Sequence, residues 1–223
     1  MLTHDQIQTI AKRSQNRYDY YYIKSKLKTD PIYPSVHTAL HGSPHPILDI
    51  GCGLGLFTHY LRSHNDHTPI HGFDYDPRKI RSAQAMAAKI PNHQDLHFTH
   101  GDARTQLPTF SGNVLILDIL QFFTPSEQQH LLTQAAHRVA PDGKLIIRSC
   151  LSQPNWRYRL TILGDYFAKA TFWMKSAPIH YPDTQLFTTH LPPLGFTVQI
   201  TPLWGKTPFN NHLIIAKKNH NPA

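Results

Sequence analysis

Residues 47–57 read ILDIGCGLGLF. A short apolar run carries one acid, Asp49, and runs straight into three glycines that alternate with other residues, Gly51, Gly53 and Gly55. A run of this length predicts a strand buried on both faces. Glycines at its end predict a loop whose bare backbone can approach a nucleotide-like ligand. A dinucleotide loop needs G-x-G-x-x-G, which would put the third glycine at position 56. That position is Leu56. A phosphate-cradling P-loop needs Gly-Lys-Ser/Thr, and none follows. Asp49 lies two residues before Gly51, where a carboxylate would repel phosphate and attract a cation.

Further strand-length runs alternate with helical patterns, which predicts α/β architecture built from βαβ units on a parallel sheet. Strands are expected at 47–50, 70–73, 96–99, 114–119, 144–148, 196–201 and 213–217. Asp76-Pro77 and Thr124-Pro125-Ser126-Glu127 read as helix starts, the second as a capping box. Leu131, Leu132, Ala135, Ala136 and Val139 share one helical face. The last two strands, joined by PLWGKTPFNN, are expected to form an antiparallel hairpin. The expected organisation is a single domain over 1–223. It has a helical extension at 1–46, a ligand-binding core at 47–150, a helical insertion at 150–185 and C-terminal strands at 186–223.

The segment LDIGCGLG resembles the first motif of the class I S-adenosylmethionine (SAM)-dependent methyltransferases. The resemblance covers residues 47–150 and extends loosely to the C-terminal strands. It implies a Rossmann-like seven-stranded sheet with helices on both faces, and SAM as cofactor. It also implies that Asp49, Gly51, Cys52 and Gly53 meet the methionine end. SAM carries a sulfonium, an ammonium and a carboxylate but no phosphate, which suits an acid beside the glycines. Asp74, in HGFDYDP, is then the acid that accepts both ribose hydroxyls, with Tyr75 next to it. An acid at that position would serve NAD equally. Asp102, in THGDAR, matches the acid that receives the adenine amino group, with Ala103 beside it. Asp118 ends the fourth strand at the edge expected to face the methyl donor. Each residue has a structural alternative. Gly55 can serve helix–strand packing, Cys52 can fill a loop rather than act as nucleophile, Asp76 can cap its helix, and Asp118 can cap a turn.

Methyl transfer from a sulfonium needs alignment first, and a base only when the acceptor begins protonated. The histidines are numerous but dispersed along the chain, and no metal is expected. The fourth strand is followed by DILQFF, which lacks the proline pair of amino-methylating nucleic-acid enzymes of this fold. The expected acceptor is therefore a small molecule, free or bound to a carrier. His180 and Tyr181, in APIHYPD, are candidate acid/base groups for a phenol, or ordinary loop residues.

Within the insertion, Trp156, Leu160, Leu163, Phe167, Ala170 and Met174 form one apolar stripe on a helix. It would pack on the sheet or against a second subunit, close as a lid over the acceptor, or touch a membrane. The tyrosine-rich segment YDYYYIKSKLKTDPIY could close over SAM, with Lys26 or a tyrosine meeting its carboxylate, or simply pack against the glycine loop. Its K-L-x-x-D-P-x-Y pattern also resembles methyltransferases of aryl-polyene and xanthomonadin-type pigment pathways, a resemblance that implies an apolar aromatic acceptor, free or tethered to an acidic acyl carrier protein.

The 223 residues suffice for one sizeable core, with 40% apolar and 16% charged residues. Two cysteines, Cys52 and Cys150, give no disulfide framework, and the polar N-terminus lacks a signal-peptide core. A cytoplasmic location is expected, without a spanning helix. The net charge of +8 is scattered rather than clustered, which argues against nucleic acid and suits solubility or an anionic partner. The competing functions are a nicotinamide-dependent oxidoreductase and a protein that binds SAM or S-adenosylhomocysteine (SAH) without catalysis.

Overall fold

The computed structural model describes residues 2–170 and 180–219, with the backbone alone for 165–170. The strands form one mixed sheet of order β3-β2-β1-β4-β5-β7-β6. The internal contacts divide the chain into two compact units, residues 1–112 and 113–223.

The first unit opens with three helices, α1 (His4–Ala11), α2 (Arg17–Thr29) and α3 (Ile32–Leu40). Thr3 and Gln6 close a capping box at the start of α1, and the Asn16 side chain caps α2. Ile10, Ile23, Ile32 and Val36 are the buried anchors of these helices. Full burial of one such side chain contributes about 1.5–3 kcal/mol. Strands β1 (Ile47–Ile50), β2 (Ile70–Asp74) and β3 (Leu96–His100) follow, paired in parallel. Helix α4 (Leu56–Arg62) links the first two strands and α5 (Pro77–Ala87) the next. All four residues of β1 are buried, as its unbroken apolar character predicts. The extension is tied to α4 and α5 by polar contacts. Gln6 donates to the Ser63 carbonyl at 2.9 Å, Arg13 to His59 Nδ1 at 3.1 Å, and Lys89 to the Arg13 carbonyl at 2.7 Å.

In the second unit, β4 (Asn113–Leu117) runs parallel to β5 (Lys144–Cys150). Strand β7 (Asn211–Lys218) pairs antiparallel with both β5 and β6 (Phe196–Pro202), giving the expected hairpin. Helix α6 (Pro125–Ala136) begins with the Thr124–Glu127 capping box and buries Leu131, Leu132, Ala135 and Ala136. Strand β4 ends at Leu117, short of the expected Ile119, because Asp118 turns left-handed at φ 60°. Aspartate tolerates that conformation better than most residues.

Of the expected alternatives for the apolar stripe of helix α7 (Trp156–Ala170), its described half does not follow packing on the sheet. Trp156, Leu160 and Leu163 are exposed at 59%, 39% and 65%, while Thr161 on the other side is buried at 4%. The reason is polar: Thr161 accepts the Asn210 amide at 2.9 Å, and Arg157 donates to the Thr207 carbonyl at 2.8 Å. These bonds turn the polar side of the helix inward. The remaining stripe positions, Phe167, Ala170 and Met174, lie outside the residues whose side chains are described. A further helix, α8 (Thr184–His190), was not expected; Asp183 caps it by accepting the Leu186 amide at 2.8 Å.

Candidate cofactor site

The tips of β1, β2 and β3 bring the first unit's predicted residues other than Lys26 to one edge, where open α/β sheets place their ligands. Gly51, Gly53 and Gly55 all have left-handed backbones, at φ 79°, 57° and 69°. Gly51 and Cys52 donate their amide hydrogens to the Phe73 carbonyl at 2.7 and 3.2 Å, which pins the loop to the end of β2. The Asp74 carboxylate then accepts the Gly53 amide at 2.9 Å and the Asp76 amide at 2.8 Å, one on each oxygen. At Gly53 a Cβ would meet nothing within 4 Å, so this stretch of backbone faces open space. Gly55 differs: a Cβ there would lie 2.7 Å from the Phe98 ring, so it serves helix–strand packing.

Asp49 is buried at the end of β1. Burial, and then repulsion from Asp74, push its carboxyl up from 3.8 to about 7. The same two carboxylates join burial in holding the Cys52 thiol well above its ordinary range. A protonated thiol is a poor nucleophile, which agrees with Cys52 as a loop filler. Asp76 caps α5 by accepting the Arg78 amide at 3.0 Å and pairs with the Arg78 guanidinium at 3.2 Å.

At the end of β3, Asp102 is half-exposed and accepts the Arg104 amide at 2.9 Å, with the Arg104 guanidinium at 3.3 Å. Ala103 beside it is buried. Tyr75 is exposed, and its carbonyl accepts from His100 Nε2 at 3.0 Å. Lys26 pairs with Asp30, the residue that ends its helix, at 2.7 Å. Behind the edge, His59 is buried beside Arg13 and Arg62, and is pushed down to about 3 by burial and then by those cations. Guanidinium can only donate, so Nδ1 of a neutral His59 accepts from Arg13.

In the second unit, Asp118 forms a two-pronged ion pair with Arg148, with Arg148 Nε at 2.6 Å and Nη2 on the other oxygen. The Arg148 side chain is 3% exposed, so Asp118 is the partner of a buried cation. Sequence reading missed Arg148. It also missed Gln121, whose buried amide donates to the Asp118 carbonyl at 3.0 Å while its Oε1 has no partner. A glutamine inside the otherwise apolar ILQFF was the available signal. His180 is exposed, and its backbone is held by the Gln121 carbonyl at 3.2 Å and the Gln128 side chain at 2.9 Å. The Tyr181 ring stands edge-on to Tyr158 at 5.6 Å between centroids. Among the described residues, no group of three or more His, Cys, Asp or Glu is placed to hold a metal ion.

Residues 47–143 match the family model described as "Methyltransferase domain". Magnesium protoporphyrin IX methyltransferase from Synechocystis PCC 6803, solved with bound SAH, has a similar structure, with a TM-score of 0.67 at 16% identity. That match covers 96% of this chain and 94% of the other. The pyocyanin biosynthetic protein PhzM also scores 0.67 at 16% identity, over 95% of this chain. An O-methyltransferase family 2 protein from Planctomyces limnophilus DSM 3776, in complex with apigenin, scores 0.58 at 18% identity over 80% of this chain. The chain spans 61% of the PhzM chain and 52% of the Planctomyces one. Curated proteins give no match. The fold is that of the SAM-dependent methyltransferases, and residues 47–143, less than half of the chain, are similar to the methyltransferase-domain family. The comparisons lend no support to the nicotinamide reading or to the pigment-pathway resemblance. Among the described residues, no helix is long and apolar enough to cross a membrane.

Proposed function

We propose that residues 1–223 work as one methyltransferase domain that transfers a methyl group from SAM to a small, apolar aromatic acceptor, free or tethered to a carrier protein. The observation that carries this reading is the pair of buried acids, Asp49 and Asp74, around a left-handed glycine loop. Buried carboxylates disfavour a phosphate and favour a cationic nucleoside. The open backbone at Gly53 fits close approach of such a ligand.

Asp49 would face the ammonium, with the Gly51–Cys52–Gly53 backbone alongside the methionine part. Asp74, already oriented by two amide hydrogens, has lone pairs left for the ribose hydroxyls. Tyr75 would lie along the nucleoside. Asp102 would receive the adenine amino group, and the Ala103 amide would meet the ring. Lys26 would leave Asp30 to meet the methionine carboxylate, and Asp118 would mark the donor edge in the second unit. Bound SAM supplies a sulfonium-activated methyl group. The chain's contribution is alignment, because charge disappears from sulfur as the methyl moves. A phenolic acceptor would need its proton removed, and exposed His180, beside Tyr181, is the candidate base.

The O-methyltransferase neighbours, one of them holding apigenin, support a small-molecule acceptor. The test has two parts. Calorimetry should show binding of SAM and SAH but not NADH. Methyl-labelled SAM should then yield labelled product with apigenin or simpler phenols. Tight SAM binding with no turnover on any phenol would leave a cofactor-binding protein and overturn the catalytic reading. NADH binding would overturn both.

A further inference from the structure

Helix α7 is built inside out. Its described solvent face carries Trp156, Arg159, Leu160 and Leu163 at i, i+3, i+4 and i+7, one continuous stripe. Phe209, in the loop between β6 and β7, is 38% exposed. It also adjoins α7, since a Cβ on Gly164 would sit 3.2 Å from its ring. The exposed apolar side chains therefore form one patch, shared between a helix and a hairpin loop. Large exposed apolar patches mark surfaces that meet another body.

The patch is also basic. Residues 151–164 and 202–212 contain no Asp or Glu, but hold Arg157, Arg159 and Lys206. Arg159 and Lys206 are exposed. Arg157 is held between two indoles, 4.7 Å from the Trp156 centroid and 4.5 Å from the Trp204 centroid. That contact braces Trp156 at the edge of the patch.

We propose that this face, α7 together with the Phe209 loop, is a docking surface for an anionic lipid bilayer. Leu160, Leu163 and Phe209 would enter the headgroup–acyl boundary. Trp156 would sit at the headgroup level, where indoles concentrate, and Arg159 and Lys206 would meet anionic headgroups. Charge decides against a second copy of the chain. An isologous contact would set a patch whose described side chains include cations and no acid against itself, between molecules each carrying +8. Attachment would be peripheral, and it would bring the enzyme to the phase in which apolar molecules dissolve. None of this depends on the methyltransferase reading.

Co-sedimentation with vesicles tests it, using the full chain. One set is phosphatidylcholine alone, the other phosphatidylcholine with about one third phosphatidylglycerol. The wild type should sediment with the anionic set only, and about 0.5 M salt should weaken binding by screening the cations. The double variant Leu160→Ser/Leu163→Ser should bind about tenfold more weakly. Arg159→Gln should bind about fivefold more weakly, the fold-change expected for one cation near an anionic surface. All these side chains are exposed, so the melting temperature should stay at the wild-type value and report an intact fold. Failure of the wild type to bind anionic vesicles would overturn the proposal. So would equal binding to neutral vesicles, or undiminished binding by the double variant. Light scattering that showed a dimer dissolved by the leucine substitutions would assign the face to a second copy instead.

Discussion

Gly53 donates its amide hydrogen to the Asp74 carboxylate at 2.9 Å, so the tip of β2 and the glycine loop are held as one piece. The other Asp74 oxygen accepts from Asp76, the residue that caps α5. One buried side chain thereby sets the loop and the start of the next helix together. Asp74→Asn keeps the shape but turns one acceptor into a donor facing an amide hydrogen. The expected cost is about 1–3 kcal/mol of folding stability, by urea denaturation, with SAM affinity at least about tenfold weaker by calorimetry. A variant with unchanged stability would show that the two amides find water instead.

Asp49 predicts opposite effects on binding and folding. Its carboxyl titrates near 7 in the folded chain and near 3.8 when unfolded, so the folded state holds the proton more tightly. Its stabilising contribution is full below the unfolded value and is lost as pH rises through about 7. The difference corresponds to several kcal/mol, on the order of 4. Asp49→Asn should therefore gain in melting temperature over the wild type as pH rises, with the smallest difference at about pH 4 and the largest at pH 8. SAM affinity should run the other way, rising in the wild type between pH 6 and 8 as the carboxylate ionises. In the variant it should be weak and flat. A wild-type affinity independent of pH would remove Asp49 from the ammonium's neighbourhood.

His59 makes the opposite titration. It is buried and pushed down from 6.5 to about 3, so the folded state resists protonation that the unfolded chain accepts. Stability should fall as pH drops below about 6.5, continuing toward about 3. His59→Asn removes the titrating ring but keeps an acceptor for Arg13. Its melting temperature should decline less steeply than that of the wild type between pH 6.5 and 4. Parallel curves would place the acid sensitivity elsewhere.

The Asp118–Arg148 pair is asymmetric in burial, and the two deletions should differ accordingly. Asp118→Ala leaves a buried guanidinium without its carboxylate and is expected to cost about 3–5 kcal/mol. Arg148→Met leaves a carboxylate with partial access to water and should cost clearly less. Urea denaturation of both single variants and the double variant gives the coupling directly. Equal costs would mean that Asp118 depends on Arg148 as much as the reverse.

Local signals carried most of the fold. The strand edges followed from apolar runs bounded by turn residues, and both proline-led helix starts from their capping side chains. The glycine loop and its acids were legible because they lie within a few residues of strand ends. What sequence could not supply was direction and distant pairing. Periodicity placed Trp156, Leu160 and Leu163 on one face of α7, but only Thr161 and Arg157, bonding to residues about 50 positions away, decide which face turns outward. The partner of Asp118 lies 30 positions along the chain on a neighbouring strand, and no spacing rule names it. Helix α8 has a legible start in Asp183, but its 7 residues are too few to carry an apolar period.

Gly53 separates two reasons for a glycine that usually coincide. Handedness of the backbone demands it, at φ 57°, but crowding does not, since an added methyl group would touch no neighbour. Asparagine, which accepts that handedness, could replace it and leave the loop folded while its amide projected into whatever occupies that space. One position thus offers a plug for the crevice that does not first break the architecture around it.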